Sequence, residues 1–193
     1  MNFKKAKFVK STTTLKDAPK GRLKEILIVG RSNAGKSSLI NALTGRSSLA
    51  FTSSKPGHTR LLNYFEIDES FYLVDAPGYG YAKGGIDLDQ LFADMMNEYL
   101  VNNLYLKGAL LLLDSRREFN ELDLEMMEIF KKDKTNFLIV LTKSDKLNQS
   151  EKAKAIANLK KHGIKEGEYV FTSITNKQSI LALEKEIENL LNK

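Results

Sequence analysis

The 193-residue chain contains no cysteine. That absence removes a disulfide scaffold, a thiolate metal site and a cysteine nucleophile together. It suits a reducing cytosol without requiring one. The first residues, Met1-Asn2-Phe3-Lys4-Lys5-Ala6-Lys7, lack the continuous apolar core of a secretory leader. No apolar run approaches the length of a membrane span, the longest lying around Ala109–Leu113. There is also no internal repeat, no low-complexity tract and no break in composition that would mark a second domain. The expectation is one soluble, cytoplasmic domain over residues 1–193, long enough to bury a sizeable core, with residues 1–22 as a basic N-terminal extension.

What the chain has in excess is lysine. The formal charge is +6, from 30 basic and 24 acidic residues. Lysines recur at Lys4, Lys5, Lys7, Lys10, Lys131, Lys132, Lys134, Lys152, Lys154, Lys160, Lys161 and Lys165. A basic surface raises the odds of a polyanionic partner such as RNA. A solvated lysine-rich surface is the more ordinary source of the same composition. Charge alone decides neither way.

One stretch organises the rest: Gly30-Arg31-Ser32-Asn33-Ala34-Gly35-Lys36-Ser37-Ser38. It follows the apolar run Glu25–Val29 and precedes the helix-like Leu39-Ile40-Asn41-Ala42-Leu43. Gly30, Gly35, Lys36 and Ser37 fit G-x-x-x-x-G-K-[ST] in the strand–loop–helix setting that this loop requires. The glycines let backbone N–H groups turn inward around a polyphosphate, and the helix start adds the positive end of its dipole. Lys36 is placed to reach β- and γ-phosphates, and the Ser37 hydroxyl to ligate Mg²⁺.

The remaining pattern alternates strand and helix. Lys7–Lys10 can add a short edge strand, and the helix from Lys36 ends near Gly45. Arg46–Arg60, rich in Ser, Thr and Gly, reads as a long mobile loop. Leu62–Ile67 and Phe71–Asp75 form an antiparallel hairpin about Asp68-Glu69-Ser70. Leu88, Leu91, Phe92, Met95, Met96, Tyr99 and Leu100 recur at helical spacing. Gly108–Asp114 is a buried strand, and Leu122, Met126, Ile129 and Phe130 mark a helix. Phe137–Thr142 is another apolar strand. Ser150 can cap a helix to His162 that buries Ala153, Ile156, Ala157 and Leu159. Glu168–Phe171 gives a last strand, and Ile180, Leu183, Ile187, Leu190 and Leu191 face inward from a terminal helix. This predicts an α/β fold, a three-layer domain with a mostly parallel sheet, one antiparallel edge strand and helices on both faces. Ligands of such sheets bind beyond the carboxyl ends of the strands. The loops at Gly30–Ser38, Asp75, Thr142–Asp145 and Thr172–Ser173 all follow strand ends and so converge.

Two of these loops refine the ligand. Asp75 closes a strand and begins Asp-Ala76-Pro77-Gly78, an Asp-x-x-Gly. Its carboxylate can reach a magnesium shell through water, and the Gly78 N–H can meet the γ-phosphate. Thr142-Lys143-Ser144-Asp145 matches [NT]-K-x-D. An Asp145 carboxylate can accept two hydrogen bonds from guanine N1–H and the exocyclic amine, a donor pair that adenine lacks. The Lys143 stem would lie along the base plane.

At this point the residues resemble the Ras-like, translation-factor-related P-loop GTPases, and more narrowly the EngB family of bacterial ribosome-assembly GTPases. The resemblance spans nearly the whole chain. It is carried by Gly30–Leu43, by Lys55-Pro56-Gly57-His58-Thr59, by Asp75–Lys83 and by Thr142–Asp145. It implies GTP binding and slow hydrolysis to GDP, with Mg²⁺ as cofactor and K⁺ as a second candidate. It also implies a role in maturing the large ribosomal subunit and in cell division, septation or growth. Thr59 would match the mobile-loop threonine that ligates Mg²⁺, and Asn33 would match the phosphate-loop asparagine that helps coordinate K⁺, a loop-stabilising role for it being an equal reading. Pro56, Gly57 and His58 would lie beside the nucleotide, with His58 where the family pattern has Arg. Thr172, Ser173 and Ile174 would match the last base-contacting loop, the Ser173 N–H lying near guanine O6. The implied partners are GTP, GDP and the large ribosomal subunit or its rRNA, with neither membrane nor DNA, and a monomer is the default.

Tyr79 stands directly after Gly78, where many such enzymes place a glutamine that orients the attacking water. A phenol turned away from the γ-phosphate would leave turnover very slow, to be assisted by K⁺ at Asn33 or by the ribosomal partner. Ser53–Thr59 and Gly78–Gly85 are the expected switch loops. A P-loop ATPase or nucleotide kinase, and a nucleotide-gated RNA- or ribosome-binding module with incidental hydrolysis, are the competing readings.

Overall fold

A computed structural model describes residues 1–20, 23–50, 61–80 and 86–193. The elements are β1 (Ala6–Thr12), β2 (Lys24–Gly30), α1 (Lys36–Thr44), β3 (Leu62–Ile67), β4 (Phe71–Asp75), α2 (Ile86–Asn102), β5 (Leu106–Asp114), α3 (Glu121–Lys132), β6 (Phe137–Thr142), α4 (Gln149–Lys161), β7 (Tyr169–Phe171) and α5 (Lys177–Leu191). The expectations for Pro56, Gly57, His58 and Thr59, and for residues 81–85, lie outside the described residues. So do those for the side chains of Leu88 and Leu91.

The strands lie in the order β1-β3-β4-β2-β5-β6-β7. From β4 to β7 every neighbour is parallel. The strand that runs against the others is β3, antiparallel to β4 and to β1. The edge beyond β3 is taken by β1, which is longer than the Lys7–Lys10 expected. Its anchors explain the extra length, since Phe3 and Ala6 are buried in the core and Lys5 O accepts the Asp68 N–H at 2.9 Å. The basic N-terminal segment is thus part of the sheet.

Runs that are apolar throughout need cover on both faces, and β2 receives it. Ile26 and Ile28 join one core with Leu39, Ile40 and Leu43 of α1 and with Ile180, Leu183, Ile187 and Leu190 of α5. Leu27 and Val29, one residue out of phase, join the other with Met96 and Tyr99 of α2, Met126 and Phe130 of α3, and Leu159 of α4. The sheet is therefore sandwiched between α1 and α5 on one side and α2, α3 and α4 on the other.

Two helices differ from expectation. Ile129 of α3 is exposed, and Met127 is buried in its stead. In α4 the cap is Asn148, not Ser150. Asn148 Oδ1 accepts the Glu151 N–H, and the Glu151 carboxylate accepts the Asn148 N–H, a reciprocal pair that fixes the first turn. Only Leu159 of its expected inner face is buried, Ile156 is half-buried, and Ala153 and Ala157 face solvent. Alanine is a weak marker of a buried face because it has little apolar area to remove from water.

Candidate nucleotide site

The loop between β2 and α1 turns hard against β5. A Cβ on Gly30 would lie 2.6 Å from Leu112 O, so only glycine fits there. Asn33 and Gly35 then take left-handed φ of 66° and 94° before Lys36 opens α1. The carbonyls of the loop are held from behind. Ala34 O accepts the Thr142 hydroxyl at 2.7 Å, and Asn33 O accepts the Lys143 ammonium at 3.0 Å. The first-turn N–H groups of α1, at Lys36, Ser37 and Ser38, have no carbonyl one turn back within the helix and point out beyond its start.

The strand carrying Asp75 continues alongside this loop. Ala76 N–H donates to Ile28 O (2.9 Å), Tyr79 N–H to Gly30 O (3.3 Å) and Ser32 N–H to Tyr79 O (2.9 Å). These bonds press Gly78 onto the loop. A Cβ there would meet Ser32 backbone at 3.1 Å and Lys36 Nζ at 3.3 Å. Asp75 is buried, and its Oδ1 has no hydrogen-bond partner among the described residues. Burial pushes its carboxyl up, while the Lys36 ammonium and the Asn63 side chain pull the other way. A buried carboxylate oxygen beside a lysine, at the mouth of an N–H-lined loop, is an acceptor that calls for a cation or donor.

Tyr79 turns away from this centre. Its hydroxyl donates to Asp123 Oδ1 at 2.7 Å, both groups being buried, and its ring packs on Phe92. Burial foremost, with the Asp123 carboxylate, pushes the phenol well above the ordinary tyrosine range. Asp123 also closes the α3 cap with Asn120.

The third loop, Thr142–Asp145, is fixed at every residue. Lys143 takes a left-handed φ of 58°, and its ammonium bridges Asn33 O and Asp114 Oδ2, both at 3.0 Å. Asp114 is in turn gripped by Arg116 Nε and Nη2 at 2.9 and 2.7 Å. Burial would raise the Asp114 carboxyl, but the Arg116 and Lys143 hydrogen bonds win and hold it well below the usual carboxylate range. Ser144 N–H donates to Thr172 O at 3.2 Å, tying this loop to the one after β7. Asp145 is exposed. Its Oδ1 accepts the Ser173 hydroxyl at 2.7 Å, the main reason its carboxyl lies below the ordinary range, and its Oδ2 faces Lys146 at 3.3 Å.

One assignment changes. The Ser173 N–H, expected beside guanine O6, donates to Ser179 Oγ at 3.0 Å. It is the Ser173 hydroxyl that meets Asp145. The next N–H in the loop, at Ile174, makes no hydrogen bond among the described residues, and Ile174 is 55% exposed. Asp114, Asp123 and Ser179 escape a reading of the sequence. Each acts on a residue 6 to 44 positions away in the chain, and no local string marks them.

Residues 25–143 match the family model described as a 50S ribosome-binding GTPase. The chain is 44% identical over 180 residues to the probable GTP-binding protein EngB of Fusobacterium nucleatum, covering 92% of each chain. It is 44% identical over 164 residues to that of Solibacter usitatus, covering 85% of this chain and 86% of the other. The chain belongs to the EngB family. As a member of that family of GTP-binding proteins it is a GTPase, which sets aside the ATPase and kinase readings. The fold agrees. A crystal structure of a probable GTP-binding protein EngB superposes with a TM-score of 0.69 at 21% identity, covering 87% of this chain and 98% of that one. A crystal structure of a point variant of Aquifex aeolicus Era bound to GDP·AlF4⁻ has a TM-score of 0.63 at 24% identity, covering 88% of this EngB-family chain and 56% of Era.

Proposed function

We propose that this GTPase is a slow, nucleotide-dependent switch of the cytoplasm that acts on the large ribosomal subunit during its assembly and so supports cell division and growth. The observation that carries this reading is the Tyr79–Asp123 hydrogen bond of 2.7 Å. It takes the side chain after Gly78 out of reach of an attacking water, so rapid hydrolysis needs a group from elsewhere. The family description, a 50S ribosome-binding GTPase, supports the large subunit as its source.

In this reading the guanine lies against Asp145, whose carboxylate takes N1–H and the exocyclic amine while Ser173 Oγ holds it in place. The Ile174 N–H meets O6. Lys143 spans base loop and phosphate loop, so a shift in either is felt by the other. The N–H groups of Asn33 and of Gly35 to Ser38, with the Lys36 ammonium, surround the phosphates, the Ala34 N–H being held within the loop by Arg31 O at 3.0 Å. Among the described residues no three His, Cys, Asp or Glu side chains gather as a metal-binding group. The Ser37 hydroxyl and, through water, the orphaned Asp75 Oδ1 would hold a Mg²⁺ that arrives with the nucleotide. When bound, Mg²⁺ supplies positive charge to the phosphate oxygens. Gly78 offers its N–H to the γ-phosphate, and Thr59, which lies outside the described residues, would add a second hydroxyl ligand to the metal. Asn33, exposed at the crest of the loop, is a K⁺ ligand in the same reading.

Measuring GTP turnover with and without purified large ribosomal subunits, in K⁺ and in Na⁺, tests this. Slow turnover alone, acceleration by subunits and stronger co-sedimentation with GTP than with GDP are expected. Subunit binding that follows the nucleotide without any acceleration would favour a gated binding module in which hydrolysis is incidental. Identical rates in K⁺ and Na⁺ would remove the Asn33 role.

A further inference from the structure

We propose that the outward face of α4 is an RNA-docking surface that grips the phosphate backbone of structured RNA. The inference rests on the ribosomal reading above and names the face that makes the contact. It starts from the helix whose burial departed from the sequence pattern. The surface of α4 that faces solvent carries Ser150, Ala153, Lys154, Ala157, Lys160 and Lys161. Among the described residues no other helix has this charge. Within its bounds α4 holds four lysines against one glutamate, whereas α2 has four acidic residues and no basic one, α3 four acidic against two basic, and α5 three against two. The lone glutamate is spent locally, since Glu151 accepts the Asn148 N–H at 2.8 Å. None of Lys154, Lys160 and Lys161 forms an ion pair among the described residues.

The arrangement suits a phosphate chain rather than other partners. Lys154 and Lys161 stand seven residues apart, about 10 Å along the axis, with Lys160 beside the second. Ala157, between them, and Ala153, just before the first, leave a low exposed strip on which a backbone can approach closely. The face bears no arginine and no aromatic side chain, the groups that fork onto or stack with bases, so it reads backbone and shape rather than sequence. No exposed large apolar side chain lies between Lys146 and Glu168, so it also lacks the wedge that a membrane-surface helix inserts. The helix starts four residues after Asp145, so the docked surface leads directly out of the base loop.

The test uses the full chain carrying Lys154→Gln, Lys160→Gln and Lys161→Gln together, beside the corresponding triple Lys→Arg variant. Each is bound to purified large ribosomal subunits and to a short duplex RNA over a range of salt. The Gln variant is expected to bind about 10–100-fold more weakly near physiological salt, with the slope of log K on log salt reduced by about one per lysine. GTP affinity and basal turnover stay at wild-type values, and the Arg variant binds as wild type does. Unchanged affinity and slope in the Gln variant overturn the assignment while leaving ribosome binding itself intact. An Arg variant as weak as the Gln variant also overturns it, since charge would not be the determinant. Loss of subunit binding with no wild-type affinity for the duplex would point to an acidic ribosomal protein instead. Wild-type binding to anionic vesicles, lost in the Gln variant while duplex binding persists, would replace RNA by a lipid surface. If wild type ignores large subunits altogether, the ribosomal reading fails, and the duplex arm still decides this one.

Discussion

The base side and the phosphate side of the cleft are built on opposite plans. On the base side each charged group already has its partners, although the neutral Ser115 and Thr172 hydroxyls are buried there without one among the described residues. Asp114 is held by Arg116 and Lys143, Lys143 by Asp114 and Asn33 O, and Asp145 by Ser173. On the phosphate side Asp75 is buried with an oxygen that nothing described satisfies, next to a glycine and a lysine. Charges that are already paired cost little reorganisation on binding and fix geometry, which suits the proposed discrimination of guanine from adenine in every nucleotide state. An unfinished network gains its partners only with ligand, which suits the part that must differ between GTP and GDP. In the proposed function, recognition would be preorganised and switching would not.

The sharpest way to break this contrast is Asp145→Asn. The amide offers donors where guanine also offers donors, so GTP affinity should fall by about 10²–10⁴-fold, and xanthosine triphosphate should gain relative to GTP. Competition titration of the two nucleotides measures it. Unchanged GTP affinity would take Asp145 out of the base site.

Asp75→Asn asks the same of the other half, and the outcome should split. Mg²⁺-supported GTP affinity is expected to fall roughly 10–100-fold, the usual loss for an outer-sphere partner of a metal. The nucleotide-free protein should be no less stable, because the substitution removes a buried charge that lacked full compensation. A matching loss of stability without nucleotide would mean that Asp75 is a structural group and that the two halves are built alike.

Asp114→Asn sharpens the contrast through pH. The Asp114 carboxyl lies well below its ordinary range in the folded state. Its contribution is therefore complete above the unfolded value near 4 and is lost as pH falls through the lowered folded value. At pH 7 the variant should be about 1–2 kcal/mol less stable, with the gap to wild type closing below about pH 4. Chemical denaturation at pH 7 and pH 3 measures it, and a gap that does not depend on pH would deny the ion-paired state.

Much of this layout is legible in local strings. The two hairpin strands, the terminal helix and the phosphate loop stand where periodicity and motif spacing put them, because burial on both faces leaves few alternatives to a continuous apolar run. What is not legible is what joins the strings. The Ser173–Asp145 and Tyr79–Asp123 bonds depend on which strand ends are neighbours, and sheet order cannot be read from spacing. The α4 cap shows a second limit. Asn148 and Ser150 are both good caps by type, and only the reciprocal partner three residues on, Glu151, selects the first. Ala153 and Ala157 show a third, since alanine at helical spacing marks a face without saying whether it is covered.

The smallest effect is the one that tests how firmly the two halves are tied. The Thr142 hydroxyl has one proton to give and two carbonyls within reach, Ala34 O at 2.7 Å and Leu113 O at 3.1 Å, so the shorter contact takes it. That bond holds the back of the phosphate loop to the strand that leads into the base loop. Thr142→Val keeps shape and β-branching but leaves a buried carbonyl without its donor. The cost should be about 1 kcal/mol in stability. If the tie matters for binding as well, GDP release should quicken by a few-fold while the preference for guanine over adenine stays as it was. Stopped-flow release of a fluorescent GDP analogue separates these outcomes. A release rate that does not move would mean that Lys143, through Asn33 O, holds the loop unaided and that Thr142 only fills its place in the sheet.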